Sequence, residues 1–131
     1  MNTYDGKCGC NAIAYSINEK PVNIINCHCD MCKHHNGSAF STYAIFPITS
    51  FKIEMGENLL NRYVANDGVK HFCNLCGTPL FNTHDKYPEV CMVYIGTLNS
   101  SFELAPKLNV WHEKQLSWVG NISNIECLSE G

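Results

Sequence analysis

The placement of cysteine limits the folds open to this chain more than any other feature. Nine of its 131 residues are cysteines, an odd number that fits poorly with a framework of disulfide bonds. Seven of them fall into three clusters, the N-terminal pair (Cys8 and Cys10), the trio (Cys27, Cys29 and Cys32) and the knuckle pair (Cys73 and Cys76). Thiolates at such short spacings are typical zinc ligands, so we expect metal rather than disulfides to fasten this chain.

The remaining composition supports a reducing compartment. Residues 1–7 lack the apolar run of a signal peptide, and no apolar stretch approaches the roughly 18 residues needed to span a membrane. We therefore expect a cytoplasmic protein without membrane contact, in which thiols stay reduced. Nine basic and 12 acidic side chains give a net charge of −3, and Arg62 is the one arginine. This balance argues against a nucleic-acid partner, which normally requires a clustered basic surface.

Short β-branched or alternating runs, separated by turn signals, predict a mainly β fold. The candidate strands are residues 12–17, 22–25, 40–46, 51–55, 61–65, 69–73, 79–83, 90–95 and 107–111. The one expected helical turn runs from Asp30 to His35, with Asp30 as its N-cap. The length favours a single domain over residues 1–131, with packed antiparallel sheets and little helix.

The cysteine count suggests two metal sites of different kinds. A closed structural zinc site takes four protein ligands, whereas a catalytic site keeps three and leaves one position for water or substrate. The N-terminal pair and the knuckle pair could form the closed site, which leaves the trio as the open one. The spacing alone does not decide this partition, because Cys27 and Cys29 could join the knuckle pair instead.

Other interpretations of the clusters compete with an open site. A purely structural protein with two zinc ions, in which His28, His34 or His35 completes the second site, is about as well supported by the residues. An iron–sulfur cluster fits less well, because it usually needs four ligands at other spacings. We expect Cys91 to be a small core residue, and Trp111 and Trp118 to pack in the core.

These motifs together resemble the glutathione-dependent formaldehyde-activating enzyme family, which also includes centromere protein V. The resemblance runs from Gly6 to Val119. Its motifs are Gly6-Lys-Cys8-Gly-Cys10, Cys27-His-Cys29-Asp-Met-Cys32-Lys with Gly37-Ser-Ala-Phe40, His71-Phe-Cys73-Asn-Leu-Cys76-Gly-Thr-Pro-Leu-Phe81, and Trp111 with Trp118-Val119. The resemblance implies a β-tent-like fold, a structural zinc on the N-terminal and knuckle pairs, and a second zinc on the trio.

The resemblance also implies an activity. It suggests a carbon–sulfur lyase that adds a small thiol such as glutathione to formaldehyde or a related electrophile, at a zinc held by the three thiolates of the trio. Lys33 and His34 are candidates for contacting an anionic tripeptide or moving a proton, with a solvated basic face as the alternative. The chain departs from the family at Asn109, where members often carry histidine. The rival hypothesis is a non-enzymatic, zinc-stapled protein-interaction domain of the same fold.

Overall fold

The computed structural model describes residues 4–100 and 103–131 and consists mainly of β-strands. The elements are β1 (Tyr4–Lys7), β2 (Ala14–Ile17), β3 (Asn23–Cys27), α1 (Asp30–Asn36), β4 (Ser41–Pro47), β5 (Phe51–Met55), β6 (Leu60–Ala65), β7 (Gly68–Cys73), β8 (Pro79–His84), β9 (Val90–Tyr94) and β10 (Leu108–Val110). The predicted mainly β fold with little helix is thereby confirmed. Strand β1 was not predicted, because the polar sequence Tyr-Asp-Gly-Lys shows no alternation.

The strands form two sheets. The smaller sheet has the order β1-β2-β5, and the larger has the order β10-β3-β4-β9-β8-β7-β6. Their pairings are antiparallel with one exception, since β10 runs parallel to β3 and aligns Val110 with Cys27. The late strand β10 therefore lies beside the strand that ends at the trio.

The core lies between the two sheets. Its fully buried side chains come from both, and include Ile13, Tyr15, Ile17, Phe46, Leu80, Cys91 and Val93. The burial of Cys91 confirms its assignment to the core. Gly6 in β1 allows this close packing, because a Cβ atom there would collide with the Tyr15 ring and lie 2.5 Å from the Thr97 carbonyl oxygen.

Helix α1 begins at Asp30, where the sequence predicted it, but its N-cap is the preceding residue. Cys29 is its N-cap, with an extended backbone and a sulfur that accepts the Cys32 N–H at 3.2 Å. The assignment of Asp30 as N-cap is therefore wrong. Asp30 lies in the first turn, where its carboxylate pairs with Lys33 Nζ at 3.2 Å. The helix ends at Gly37, whose left-handed backbone lets its N–H bond the Lys33 carbonyl.

Two tryptophans differ from the sequence expectation. Trp111 is 58% exposed and Trp118 is 49% exposed, so neither packs in the core. Both follow the last strand, where the chain continues in turns such as Val119–Asn124 rather than in the sheets. Over the described residues, no helix has the length and apolar character that crossing a bilayer requires.

Candidate metal centres

Four sulfurs from distant parts of the chain meet at one place. The N-terminal pair follows β1, and the knuckle pair lies at the end of β7 and in the turn after it. The sulfurs of Cys8 and Cys10 are 3.6 Å apart, and those of Cys10 and Cys73 are 3.9 Å apart. All four sulfurs lie within 4.8 Å of one another. Tetrahedral zinc with Zn–S bonds of about 2.3 Å requires S···S separations of about 3.8 Å, so this cluster fits zinc.

A tight turn presents the knuckle pair. Gly77, with φ +80°, closes the turn by donating its N–H to the Cys73 carbonyl at 2.9 Å. The Leu75 N–H donates to Cys73 Sγ at 3.4 Å, and the Thr78 hydroxyl lies 3.1 Å from Cys76 Sγ. The hydrogen bond from Thr78 is the main reason that the pKa of Cys76 is lowered to about 5. These donors stabilise thiolates, the form in which cysteine binds metal.

The trio forms a second sulfur cluster where β3 passes into α1. Cys27 ends the strand, Cys29 caps the helix and Cys32 lies in its first turn. The Cys27 and Cys32 sulfurs are 3.6 Å apart, and all three sulfurs lie within 4.8 Å of one another. This spacing also fits zinc. Among the described residues, no fourth cysteine, histidine, aspartate or glutamate joins the trio within that limit.

The electrostatics of the trio favour a bound cation. A hydrogen bond from the Cys32 thiol is the main reason that the pKa of Cys27 is lowered to about 6. The same bond, together with burial, raises the pKa of Cys32, because its proton serves the Cys27 thiolate. The Cys27 and Cys32 sulfurs therefore share one proton, and a divalent cation could replace this proton and bind both sulfurs.

None of the three histidines near the trio, His28, His34 and His35, is grouped with its sulfurs as a possible fourth ligand. His28 is buried, packs against the tilted ring of Phe40 and has its Nε2 3.1 Å from Asn109 Oδ1. Asn109 therefore has a structural partner in this chain, because it joins β10 to the loop that carries the trio. His34 and His35 are exposed.

The trio opens into a cavity of about 270 Å³ between α1 and the larger sheet. All three cysteines line it, together with aliphatic, methionine and aromatic side chains from six strands. The four-cysteine cluster does not contribute to its lining. The two sulfur clusters therefore differ in surroundings, since the trio faces an apolar space and the other cluster ties two sheets together.

A polar network supports the trio from within the cavity. The Tyr43 hydroxyl lies 3.2 Å from Cys32 Sγ and accepts a hydrogen bond from the Asn82 amide at 3.4 Å. The Tyr94 hydroxyl lies 3.1 Å from Asn82 Oδ1 and 3.2 Å from Asn36 Oδ1. With the Asn82 amide donating to the Tyr43 oxygen, the Tyr43 hydroxyl proton is free to donate to the Cys32 sulfur. Burial raises the pKa of Tyr43, which keeps this phenol protonated.

The residues that line the cavity differ from those that the sequence predicted beside the trio. Lys33 and His34 are absent from the cavity lining, to which α1 contributes Met31, Cys32, His35 and Asn36. Lys33 Nζ instead contacts Asp30 and donates to the Lys114 carbonyl at 2.8 Å. Their catalytic assignment stays a prediction.

The cation on the cavity wall is Lys70 of β7, whose Nζ donates to the His35 carbonyl at 2.7 Å. The alternation of Gly68, Lys70 and Phe72 along one face of β7 was the signal available in the sequence, but a single lysine there is not distinctive.

Trp111 lines the cavity at its exposed edge. Its backbone has φ +54° and ψ +41°, a left-handed conformation that is unfavourable for a bulky side chain. Strained residues of this kind persist where the surrounding structure imposes them, and they cluster at ligand sites. Trp111 is therefore exposed because it lies at the edge of the cavity and not in the core.

Comparison with known proteins gives a consistent result. A family model described as "Glutathione-dependent formaldehyde-activating enzyme" matches residues 3–114, a range that includes both sulfur clusters. A Halomonas elongata protein that provisionally bears the same enzyme name is 20% identical over 123 residues, which cover 88% of this chain and 78% of that protein. A crystal structure of a Rhodobacter sphaeroides protein has a TM-score of 0.66, with 18% identity, over 80% of this chain and 98% of the other. That structural likeness shows a shared fold.

Proposed function

This chain belongs to the glutathione-dependent formaldehyde-activating enzyme family, and from this membership we propose that it is a zinc-dependent carbon–sulfur lyase. The reaction joins a small thiol to formaldehyde or a related small aldehyde, and the trio is the reactive centre. The cysteine clusters of the chain are compatible with zinc. Under this proposal each chain carries two zinc ions, one on the four-cysteine cluster and one on the trio.

The observation that carries the proposal is the different surroundings of the two clusters. The four-cysteine cluster supplies a full set of structural ligands and lies outside the cavity. The trio supplies three ligands, and all of them line the cavity. Three protein ligands beside an accessible space are the arrangement that a substrate-binding metal site requires.

The chemistry needs activation of sulfur. A free thiol has a pKa near 8.5 and is only a few per cent thiolate at neutral pH. Zinc held by the trio would supply deprotonation and positioning of the incoming thiol. In the reaction the thiol S–H bond breaks and a carbon–sulfur bond forms to the aldehyde carbon. The proton ends on the former carbonyl oxygen, which becomes the hydroxyl of the hydroxymethyl thioether.

The side chains of the cavity contribute in two ways. The Tyr43 hydroxyl, by donating to Cys32 Sγ, stabilises the thiolate form in which this sulfur binds metal. The side chains that line the cavity would hold the thiol and the aldehyde next to each other, and this positioning is enough help because formaldehyde is already reactive.

The test is exchange of carbon-13 formaldehyde with thiols, followed by nuclear magnetic resonance in the presence of the zinc-loaded protein. We expect faster exchange with the wild-type chain, and loss of that acceleration in Cys32→Ser. Cys127→Ser is the matched control, because Cys127 is exposed and outside both clusters. Acceleration by Cys32→Ser equal to that of the wild type would refute the proposal, as would no acceleration with any thiol.

A second candidate is a non-enzymatic interaction domain. The observation in its favour is a series of exposed apolar side chains after β10, formed by Trp118, Ile122, Ile125 and Leu128. An interaction domain has no use for a cavity at the trio. Zinc at the trio that does not respond to added thiols, with no effect on formaldehyde exchange, would favour this candidate.

A further inference from the structure

The composition of the cavity wall restricts what can enter it. On this basis we infer that the thiol accepted here has a compact apolar body and a single carboxylate, and that Lys70 binds this carboxylate. The inference rests on the proposed function and names the substrate class of the same site. It departs from glutathione, which is a tripeptide with two carboxylates and an ammonium group.

The first argument is size. The cavity holds about 270 Å³, which is below the roughly 300–1,000 Å³ typical of pockets that enclose drug-sized ligands. Part of this space must also receive the aldehyde. A compact thiol fits inside, whereas a tripeptide would have to leave much of its length in solvent.

The second argument is the apolar character of the wall. Ile25, Val69, Met92 and Val110 supply aliphatic and thioether surface, and the ring of Tyr63 adds an aromatic wall. Burying an apolar body against these groups is favourable, because it removes apolar area from water on both partners. Polar peptide groups placed against these apolar side chains would lose their hydrogen bonds to water, because the polar side chains of the lining, Tyr43, Asn82 and Tyr94, already bond one another on another part of the wall.

The third argument is charge. Of the described residues that line the cavity, none is acidic, and Lys70 is the one that carries an ammonium or guanidinium group. The sole arginine, Arg62, is exposed on β6 and outside the lining. One carboxylate therefore finds a cationic partner. A second carboxylate would find only the imidazoles of His35 and His84 in the lining, and an ammonium would find no acidic side chain there, and charges without a partner are costly to remove from water.

Lys70 is available for this role. Its Nζ donates to the His35 carbonyl at 2.7 Å, which fixes the side chain but uses one of the three ammonium hydrogens. None of the ion pairs between described residues includes it. The strained placement of Trp111 at the cavity edge adds an aromatic surface over the apolar body of the thiol.

The test compares three thiols that differ in body and charge. The probes are 2-mercapto-3-phenylpropanoate, the neutral 2-phenylethanethiol, and glutathione. Binding to the zinc-loaded protein is followed by tryptophan fluorescence, since Trp111 lines the cavity, and Trp111→Phe identifies the part of the signal that comes from this residue. We expect the phenyl mercapto-acid to bind at least about tenfold more tightly than glutathione, a difference of about 1.4 kcal/mol.

Variants of Lys70 separate the charge effect from general damage. Lys70→Met is expected to weaken binding of the mercapto-acid about tenfold or more and leave the neutral thiol unchanged, because it removes the charge and keeps the apolar stem. Lys70→Arg keeps the charge and is expected to retain most of the affinity. Lys52→Met is the matched control, because Lys52 lies on β5 in the smaller sheet and outside the cavity.

The outcomes distinguish this inference from the proposed function. Binding of glutathione as tight as that of the mercapto-acid, or a mercapto-acid affinity that Lys70→Met does not change, would overturn the inference. Formaldehyde exchange with glutathione would leave the proposed function standing in either case. Lys70-dependent binding without exchange for any of the three thiols would uphold the inference on the ligand and refute the lyase.

Discussion

Loss of one ligand should have very different structural consequences at the two sulfur clusters. The four-cysteine cluster joins the segment after β1 in the smaller sheet to the end of β7 in the larger one, and Cys10 and Cys73 are 63 positions apart. The trio joins Cys27 to Cys32, only five positions away. We therefore expect Cys76→Ser to unfold or precipitate the protein, whereas Cys32→Ser stays folded without metal at the trio.

The magnitude follows from the length of the loop that each metal closes. If a metal cross-link restrains the unfolded chain as a covalent one does, a loop of 63 residues contributes about 4 kcal/mol and one of five residues about 2 kcal/mol. Domains of this size are stable by only about 5–15 kcal/mol. At about 3–6 °C per kcal/mol, loss of the long cross-link lowers the melting temperature by at least about 12 °C. Loss of the short one lowers it by about half as much.

The assay combines zinc content, measured by mass spectrometry, with thermal unfolding followed by circular dichroism. Cys32→Ser should retain one zinc ion and the wild-type spectrum at 25 °C. Cys76→Ser should retain less zinc, with an altered spectrum or a soluble yield near zero. Cys127→Ser controls for loss of an exposed thiol. Equal drops in melting temperature for Cys32→Ser and Cys76→Ser would refute the assignment of a structural role to one cluster and a reactive role to the other.

Three further predictions address single side chains. The half-buried His71 has its pKa lowered to about 4, chiefly by burial against Phe81 and then by Arg62. Because only the unfolded state gains a proton as the pH falls from about 6.5 to about 4, about 1–2 kcal/mol of stability should be lost after allowance for solvent screening, and urea unfolding of His71→Gln should lack this loss. Tyr43→Phe should weaken zinc binding at the trio about tenfold or more, measured by competition with a chelator, because Cys32 loses its hydroxyl donor. Cys91→Ala should cost about 1 kcal/mol in urea unfolding and leave zinc content unchanged, since Cys91 is a buried core residue.

Much of the fold could be predicted from local pattern. β-Branched runs such as the one before Cys27 fixed most strands to within a few residues, because alternation and turn residues are local signals. Strand β1 could not be predicted, because its polar and apolar residues do not alternate. The parallel pairing of β10 with β3 could not be predicted either. It joins residues more than 80 positions apart, and the local sequence pattern of a strand does not identify such a distant partner.

The sequence was sufficient to predict the cysteine ligands of the candidate site, but not the other side chains that line the cavity. Cysteine at short spacing is rare and chemically specific, so both sulfur clusters could be proposed from the sequence. Lys70, Asn82 and Met92 are ordinary residues on three separate strands, and the pairing of β7, β8 and β9 places them side by side in the wall of the cavity. Lys33 and His34 follow the trio in sequence, whereas on a helix the neighbour of Cys32 on the same face is His35.

The parallel pairing of β3 with β10 also determines when the cavity beside the trio can form. Until residues 108–110 dock, β3 has an open edge beside Cys27, and the rim that carries Trp111 is missing. The contact of Asn109 with Asn26 spans 83 positions, which makes it among the most non-local in the chain and therefore slow to form. A folding chain would thus be able to bring the trio together before it gains the cavity wall beside it.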